Sequence, residues 1–229
     1  MVIADSSIFK NFISLMNLPS IALITAILTY QLPVIAVPPL PAPPQTGTPQ
    51  GNHTPGTTRA PKICPATAQP LTALMANRGD DFTTAEHPSL WFYVPYANRQ
   101  QQYLEFSLLD GRERQLVYRT AIELPDRPGM IQLKIPTALK QNQMYRWYLN
   151  FDCDRGMNNG FDLFVSGWIK RVGKDREVVW YDAIDSLATR HFANPTNAKL
   201  TTAWSELLTT LNAAQLINAP LVDRLVGFR

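Results

Sequence analysis

The chain is short of the groups that catalysis draws on. Its 229 residues contain no Gly-x-Ser-x-Gly elbow, P-loop, dinucleotide fingerprint or zinc-ligand spacing, so no nucleophilic, phosphate-cradling or metal-hydrolytic motif is present to build on. Three histidines are few for metal or acid–base work. His53 sits in Pro-rich sequence and has no evident task. His87 precedes Pro88 in a turn and reads as a group at a strand entry. His191 ends an expected helix, where a cation suits the dipole. Excess charge is scarce too. The net value of +3 is too mild to indicate nucleic acid, and lysines and arginines are scattered rather than arranged in a stripe. Neither nucleic acid nor a cofactor is expected.

Long apolar runs are also missing, with one partial exception. From Leu18 to Val37 the chain is mostly apolar, but its uninterrupted core is about a dozen residues, where a spanning helix needs roughly twenty. Pro33 ends any helix there. Val34-Ile35-Ala36 offers small residues at the spacing a signal peptidase reads, so a cut is expected after Ala36. Residues 1–36 therefore read as an export signal. The charge-poor start (Asp5 and Lys10 alone) keeps an uncleaved anchor open as the alternative, and membrane contact is expected only through that segment. Residues 37–61 are rich in Pro, Gly and Thr and cannot bury enough surface to offset their ordering entropy. They read as a disordered tether, with an ordered loop wrapped on the domain as the alternative.

There are only two cysteines, Cys64 and Cys153. Behind an export signal they read as one disulfide; two buried free thiols are the alternative.

What the chain does have is strand periodicity. Residues 62–173 show about seven short runs with turn punctuation and no helix between them. Leu90–Val94 is apolar and aromatic. Tyr103–Leu109 runs into Asp110-Gly111, a hairpin signal. In Gln115–Glu123, Leu116, Tyr118 and Ile122 fall on one face. Ile131, Leu133 and Ile135 alternate with Gln132 and Lys134. The clearest strand is Gln143–Cys153, with Tyr145, Trp147, Leu149 and Phe151 on one face and Arg146, Tyr148, Asn150 and Asp152 on the other. Phe161–Val172 is the last, with Gly167 expected at a bulge. Leu139 precedes Tyr145 by the spacing of a tyrosine corner. The expected fold is mainly β: an immunoglobulin/fibronectin-III-like antiparallel β-sandwich. After residue 173 the period changes. Val179, Ile184, Leu187 and Ala188, then Leu200, Trp204, Leu207 and Leu211, fall at helical spacing around Asn194-Pro195. Residues 174–229 are expected to be a helical hairpin packed on the sandwich, since one hairpin cannot bury its own apolar face.

Two sets of residues merit attention as sites. Asp152, Asp154 and Asn158 place oxygen ligands in one loop, as a calcium ion requires. Gly156 occupies a ligand slot of the EF-hand pattern, and a solvated hairpin loop is the plainer reading. Tyr93, Tyr96, Tyr148 and Arg146 offer an aromatic face for a ligand or partner, against the plainer reading of core and sheet packing.

Several linked motifs resemble the cyanobacterial domain-of-unknown-function family 928. These are His87-Pro88 leading into Trp91-Phe92-Tyr93-Val94-Pro95-Tyr96, then Glu105-Phe106-Ser107-Leu108, Val117-Tyr118-Arg119-Thr120, Pro128-Gly129, Tyr145-Arg146-Trp147-Tyr148, Cys153-Asp154, Val165-Ser166-Gly167-Trp168-Ile169 and Trp180-Tyr181-Asp182-Ala183. Cys64-Pro65 before Leu71-Thr72-Ala73-Leu74 fits the same pattern. The resemblance runs from about Ala60 onward and implies a fold and an exported address rather than an activity. The chain departs from the family in one respect: only Gly173–Glu177 separates the Gly-Trp-Ile strand from the Trp-Tyr-Asp-Ala helix, where a further helix is usual. The leading expectation is a non-enzymatic module that binds an envelope or extracellular protein in the periplasm or outside the cell. A glycan- or small-ligand-binding module is the second reading and an enzyme the third.

Overall fold

The computed structural model describes residues 47–55, 64–97, 102–153, 161–176 and 179–226. Residues 1–36, with the expected signal or anchor, lie outside the described residues, as do Asp154 and Asn158. Among the described residues no helix is long and apolar enough to cross a membrane.

The described residues form a mainly β protein with a C-terminal helical part. The strands are β1 (Thr72–Leu74), β2 (Phe82–Thr83), β3 (Ser89–Val94), β4 (Tyr103–Asp110), β5 (Leu116–Ile122), β6 (Gly129–Lys134), β7 (Met144–Asp152), β8 (Leu163–Arg171) and β9 (Leu221–Val226). The helices are α1 (Trp180–Ala193) and α2 (Ala198–Thr210), followed by a short 3-10 turn at Ala214–Leu216. One sheet has the order β1-β3-β6-β9, the other β2-β8-β7-β4-β5. Pairing is antiparallel except for β2 with β8 and β6 with β9.

Alternation along the strands builds the core. Phe92, Val94, Ile131 and Leu133 of the first sheet share one buried cluster with Leu104, Phe106, Leu108, Trp147, Leu149, Phe151, Val165 and Ile169 of the second. Each fully buried Leu or Phe contributes about 1.5–3 kcal/mol relative to leaving it exposed. Phe92 and Trp147 meet edge to face across the cluster at 5.4 Å. Tyr145 is buried in the same cluster, and its Oη accepts the Lys140 backbone N–H at 2.9 Å, closing the turn before β7.

The opposite face of the four-stranded sheet is buried as well. Leu74, Trp91 and Met130 pack with Trp180, Ile184, Leu187, Leu200, Trp204, Leu207 and Leu208 of the helices. This double burial is why β3 reads as a nearly unbroken apolar run. Side chains of α1 fix the docking. Asp185 Oδ1 accepts the Trp91 indole N–H at 2.8 Å and the Gln132 amide at 2.7 Å. The Asp182 carboxylate accepts both the Thr83 and Thr84 hydroxyls and, at 2.9 Å, the Thr84 N–H. Tyr181 reaches into the core, where its Oη accepts from the Trp147 indole and donates to the Trp168 carbonyl, both at 3.0 Å. The Asn197 side chain caps α2 by accepting from the Lys199 and Leu200 N–H groups.

Several sequence expectations need correction. The C-terminal segment is not helical to its end. Pro220 stops the helical path, its carbonyl accepts the Met130 N–H at 2.7 Å, and the chain continues as β9 along the open edge of β6. Residues 47–55, expected within the tether, lie against the sheets. Asn52 bridges Ser166 through N–H···O contacts of 2.7 and 3.0 Å, Thr48 N–H donates to Gly79, and the Asn77 side chain closes on Gly51. Gly167 is not a bulge: it pairs in regular register with Trp147, and a Cβ there would stand 2.3 Å from the indole. Leu116 does not join Tyr118 and Ile122. The β4–β5 register shifts between Leu108 and Leu109, which turns Leu116 outward to 48% exposure. His191 does lie in the last turn of α1, but among aromatic rings. It stacks on Trp204 at 5.4 Å, and burial pushes its pKa down.

The two cysteines form a disulfide, Cys64–Cys153, with Cα atoms 5.2 Å apart. It ties the segment ahead of β1 to the residue that follows β7.

Candidate binding face

The side chains that alternate with the core residues of β7 point away from it, onto the outer face of the five-stranded sheet. Cross-strand register sets the rows. Arg146 lies opposite Trp168 and Leu109, Tyr148 opposite Ser166 and Ser107, and Asn150 opposite Phe164 and Glu105. Asp152 lies opposite Tyr103. The helices cover the four-stranded sheet instead; on this face Phe164 is exposed and Arg146, Tyr148, Asn150 and Asp152 are half-buried, while Glu105, Ser107 and Ser166 are buried.

Three large apolar side chains are exposed among the described residues: Leu116 at 48%, Phe161 at 42% and Phe164 at 38%. All three belong to this sheet or its margin. Phe164 leans on Tyr148, with ring centres 6.3 Å apart, and Phe161 stacks on Tyr103 at 6.5 Å. Polar groups tie the rings down. Tyr103 Oη donates to Glu105 at 3.2 Å, Glu105 pairs with Arg119 at 3.5 Å, and Tyr148 Oη donates to Glu113. Burial, reinforced by that bond to Glu113, raises the Tyr148 pKa and keeps the phenol protonated. The Arg146 guanidinium carbon lies 5.2 Å from the Tyr148 ring centre and 4.8 Å from that of Trp168.

The four residues expected to share an aromatic face do not. Arg146 and Tyr148 come together on this sheet. Tyr93 is on β3 in the other sheet, packed against the cluster under the helices. Tyr96 is 7% exposed and stacks on Phe151 within the core at 4.2 Å. Alternation assigns faces within a strand but does not say which sheet the strand joins. The residues sequence reasoning missed are Trp168, Phe164, Phe161 and Tyr103. Their signal was present in the β8 alternation of Phe164, Ser166 and Trp168 against Val165, Gly167 and Ile169.

Of the calcium candidates only Asp152 is described; it is half-buried at the end of β7. Nearby, Cys64, Cys153 and Asp162 cluster closely enough to suggest a metal set. Both sulfurs are committed to the disulfide and Asp162 Oδ2 accepts the Cys153 N–H at 2.9 Å, so that set lacks thiolate ligands.

A second pair of acids gave no sequence signal. Asp80 and Asp81 are buried next to one another between β1 and β2. Asp80 Oδ2 accepts the Trp180 indole N–H at 2.9 Å, while its Oδ1 is buried without a partner. Asp81 accepts the Asn77 N–H at 3.1 Å and the Thr48 hydroxyl at 3.3 Å. Burial drives the Asp81 pKa up to about 7 and raises that of Asp80. This pair joins residues 47–55, the β1–β2 loop and the start of α1, away from the outer face.

A family model described as Domain of Unknown Function (DUF928) matches residues 54–179 and 175–221. The two segments meet at the short link between β8 and α1. No curated protein and no solved structure matches the chain.

Proposed function

The chain belongs to the family described as Domain of Unknown Function (DUF928), and from that premise we propose that it is a non-enzymatic docking module. It is exported, acts in the periplasm or outside the cell, and binds an envelope or extracellular protein through the outer face of its five-stranded sheet. One observation carries this reading: Leu116, Phe161 and Phe164, the exposed large apolar side chains among the described residues, all belong to that sheet or its margin. Apolar side chains gathered on one face mark interaction surfaces. The helical hairpin is a weaker candidate because its apolar stripe is spent on the four-stranded sheet. The disulfide supports an oxidising compartment.

The fold is read further as immunoglobulin/fibronectin-III-like. Strands β1, β3 and β6 correspond to A, B and E, and β4, β5, β7 and β8 to C, C′, F and G. The bond from Lys140 to Tyr145 Oη supports a tyrosine corner at the start of F. In this reading β2 and β9 are additions at the sheet edges.

The test is capture from envelope extracts with intact protein, with Phe164→Asp and with Glu206→Lys on the exposed side of α2. A specific partner held by the wild type and by Glu206→Lys, and lost with Phe164→Asp at unchanged melting temperature, is expected. Capture that is indifferent to Phe164→Asp, or that yields no specific partner, overturns the reading.

A further inference from the structure

Arg146 stands out on the outer face because its charge is held in place without a counter-charge among the described residues. Among the described residues it forms no ion pair; the pairs present are Arg119–Glu105 and Arg171–Glu86. The neighbouring acids are engaged elsewhere, Glu105 by Arg119 and Tyr103, and Glu113 by Tyr148. The guanidinium is framed by the Tyr148 and Trp168 rings at 5.2 and 4.8 Å. Its Nη2 donates to Ser166 Oγ at 2.9 Å, and Ser166 is fully buried. Two donors in this one row are buried and have no acceptor among the described residues: the Arg146 Nε–H and the indole N–H of Trp168, its cross-strand partner.

A free arginine side chain has many rotamers, and a binding partner must normally overcome the loss of that freedom. Here the rings and Ser166 fix it on folding. A planar fork of donors, fixed and without a counter-ion, is the geometry that a carboxylate matches. Met144, the next outward residue on β7, lines an open cleft of about 440 Å³ that brings two further arginines, Arg112 and Arg114, against one acid, Asp110.

We infer that Arg146 is the recognition point of the outer face, and that it takes a carboxylate from an acidic segment of the docking protein. The inference rests on the docking reading above and names its chemistry. A peptide acid is favoured over an acidic saccharide because the guanidinium lies over both rings, Tyr148 and Trp168, on which a pyranose would stack.

The probe is a labelled hexaglutamate peptide, titrated by fluorescence anisotropy at low salt against the whole protein. Arg146→Gln weakens binding roughly tenfold, the loss of one charge-assisted pair. Arg146→Lys weakens it nearly as much, because an ammonium lacks the planar fork. Lys199→Gln, remote on α2, changes nothing. Oligogalacturonate binds more weakly than the peptide. In the unmodified protein the Arg146 Nε–H resonance shifts during the titration, a readout that does not depend on a variant folding. The inference is overturned if Arg146→Gln binds as the wild type does, if Lys199→Gln loses as much, if oligogalacturonate binds more tightly, or if the Nε–H resonance stays still. Partner capture separates the two levels. Loss with Phe164→Asp but not with Arg146→Gln leaves the docking face standing and removes Arg146 as its recognition point; loss with neither removes both.

Discussion

Asp185 Oδ1 accepts two hydrogen bonds, from the Trp91 indole at 2.8 Å and from Gln132 at 2.7 Å, joining the second turn of α1 to the middle of β3 and β6. Both donors stand on the sheet face that the helices cover. Replacing Asp185 with Ala removes the acceptor and leaves two half-buried or buried donors behind. Bonds to a charged group and the orphaning of buried donors point to a loss of about 2–3 kcal/mol. Urea unfolding measures it. Asp185→Asn, which keeps an acceptor oxygen, loses less. A change below about 0.5 kcal/mol in Asp185→Ala means the contact does not hold the helices.

Gly167 admits no side chain. A Cβ there meets the Trp147 ring at 2.3 Å and Met75 Sδ at 2.7 Å. Gly167→Ala forces Trp147 out of its place in the core and costs about 1–3 kcal/mol, as overpacking does. Near-UV circular dichroism reports the displaced indole. An unchanged spectrum and midpoint contradict the packing.

Stability depends on pH through Asp81. Its folded pKa is raised from 3.8 to about 7 by burial, so the folded state holds a proton that the unfolded state releases. The sign follows: the contribution of Asp81 is greatest below about pH 4, declines as pH rises toward about 7, and levels off above that, a difference of at most about 4 kcal/mol. Asp80 is shifted in the same direction. Asp81→Asn flattens the decline and is more stable than wild type at pH 8. A stability difference between wild type and Asp81→Asn that stays level or rises over this window counts against a buried, protonated Asp81.

The disulfide spans 89 residues of sequence. Closing so long a loop restricts the unfolded chain by roughly 4–5 kcal/mol at most. Denaturant titration of Cys64→Ser/Cys153→Ser against the oxidised wild type reads the loss, and adding reductant to the wild type reproduces it. Superimposable curves sink the claim.

Much of this fold is legible in the sequence because it rests on local periodicity. Tyr145, Trp147, Leu149 and Phe151 alternate so regularly that β7 and its buried face can be written down at once. The two helices follow from apolar spacing around Asn194-Pro195. What is not legible depends on contacts between distant residues. β9 is six residues long and carries Asp223 and Arg224; only the open edge of β6 makes it a strand. Residues 47–55 look too polar to order, yet they are held by the backbone of Ser166 and Gly79 and by Asn77. Tyr93 and Tyr96 sit beside Trp91 in sequence, but one faces the helical layer and the other the core. The outer face was half legible: Arg146 and Tyr148 come from the clearest strand, whereas Trp168, Phe164 and Tyr103 join them only through sheet order. Asp80 and Asp81 resemble any loop acids until Trp180 and Thr48 close over them.

The most direct test of the docking account is site-specific photo-crosslinking in the envelope. A benzophenone side chain replaces Phe164 on the outer face or, as the control, Thr202 on the exposed side of α2. Docking through the outer face gives a discrete protein adduct from position 164 and none from position 202. Adducts from position 202 alone, or none from 164, would contradict it.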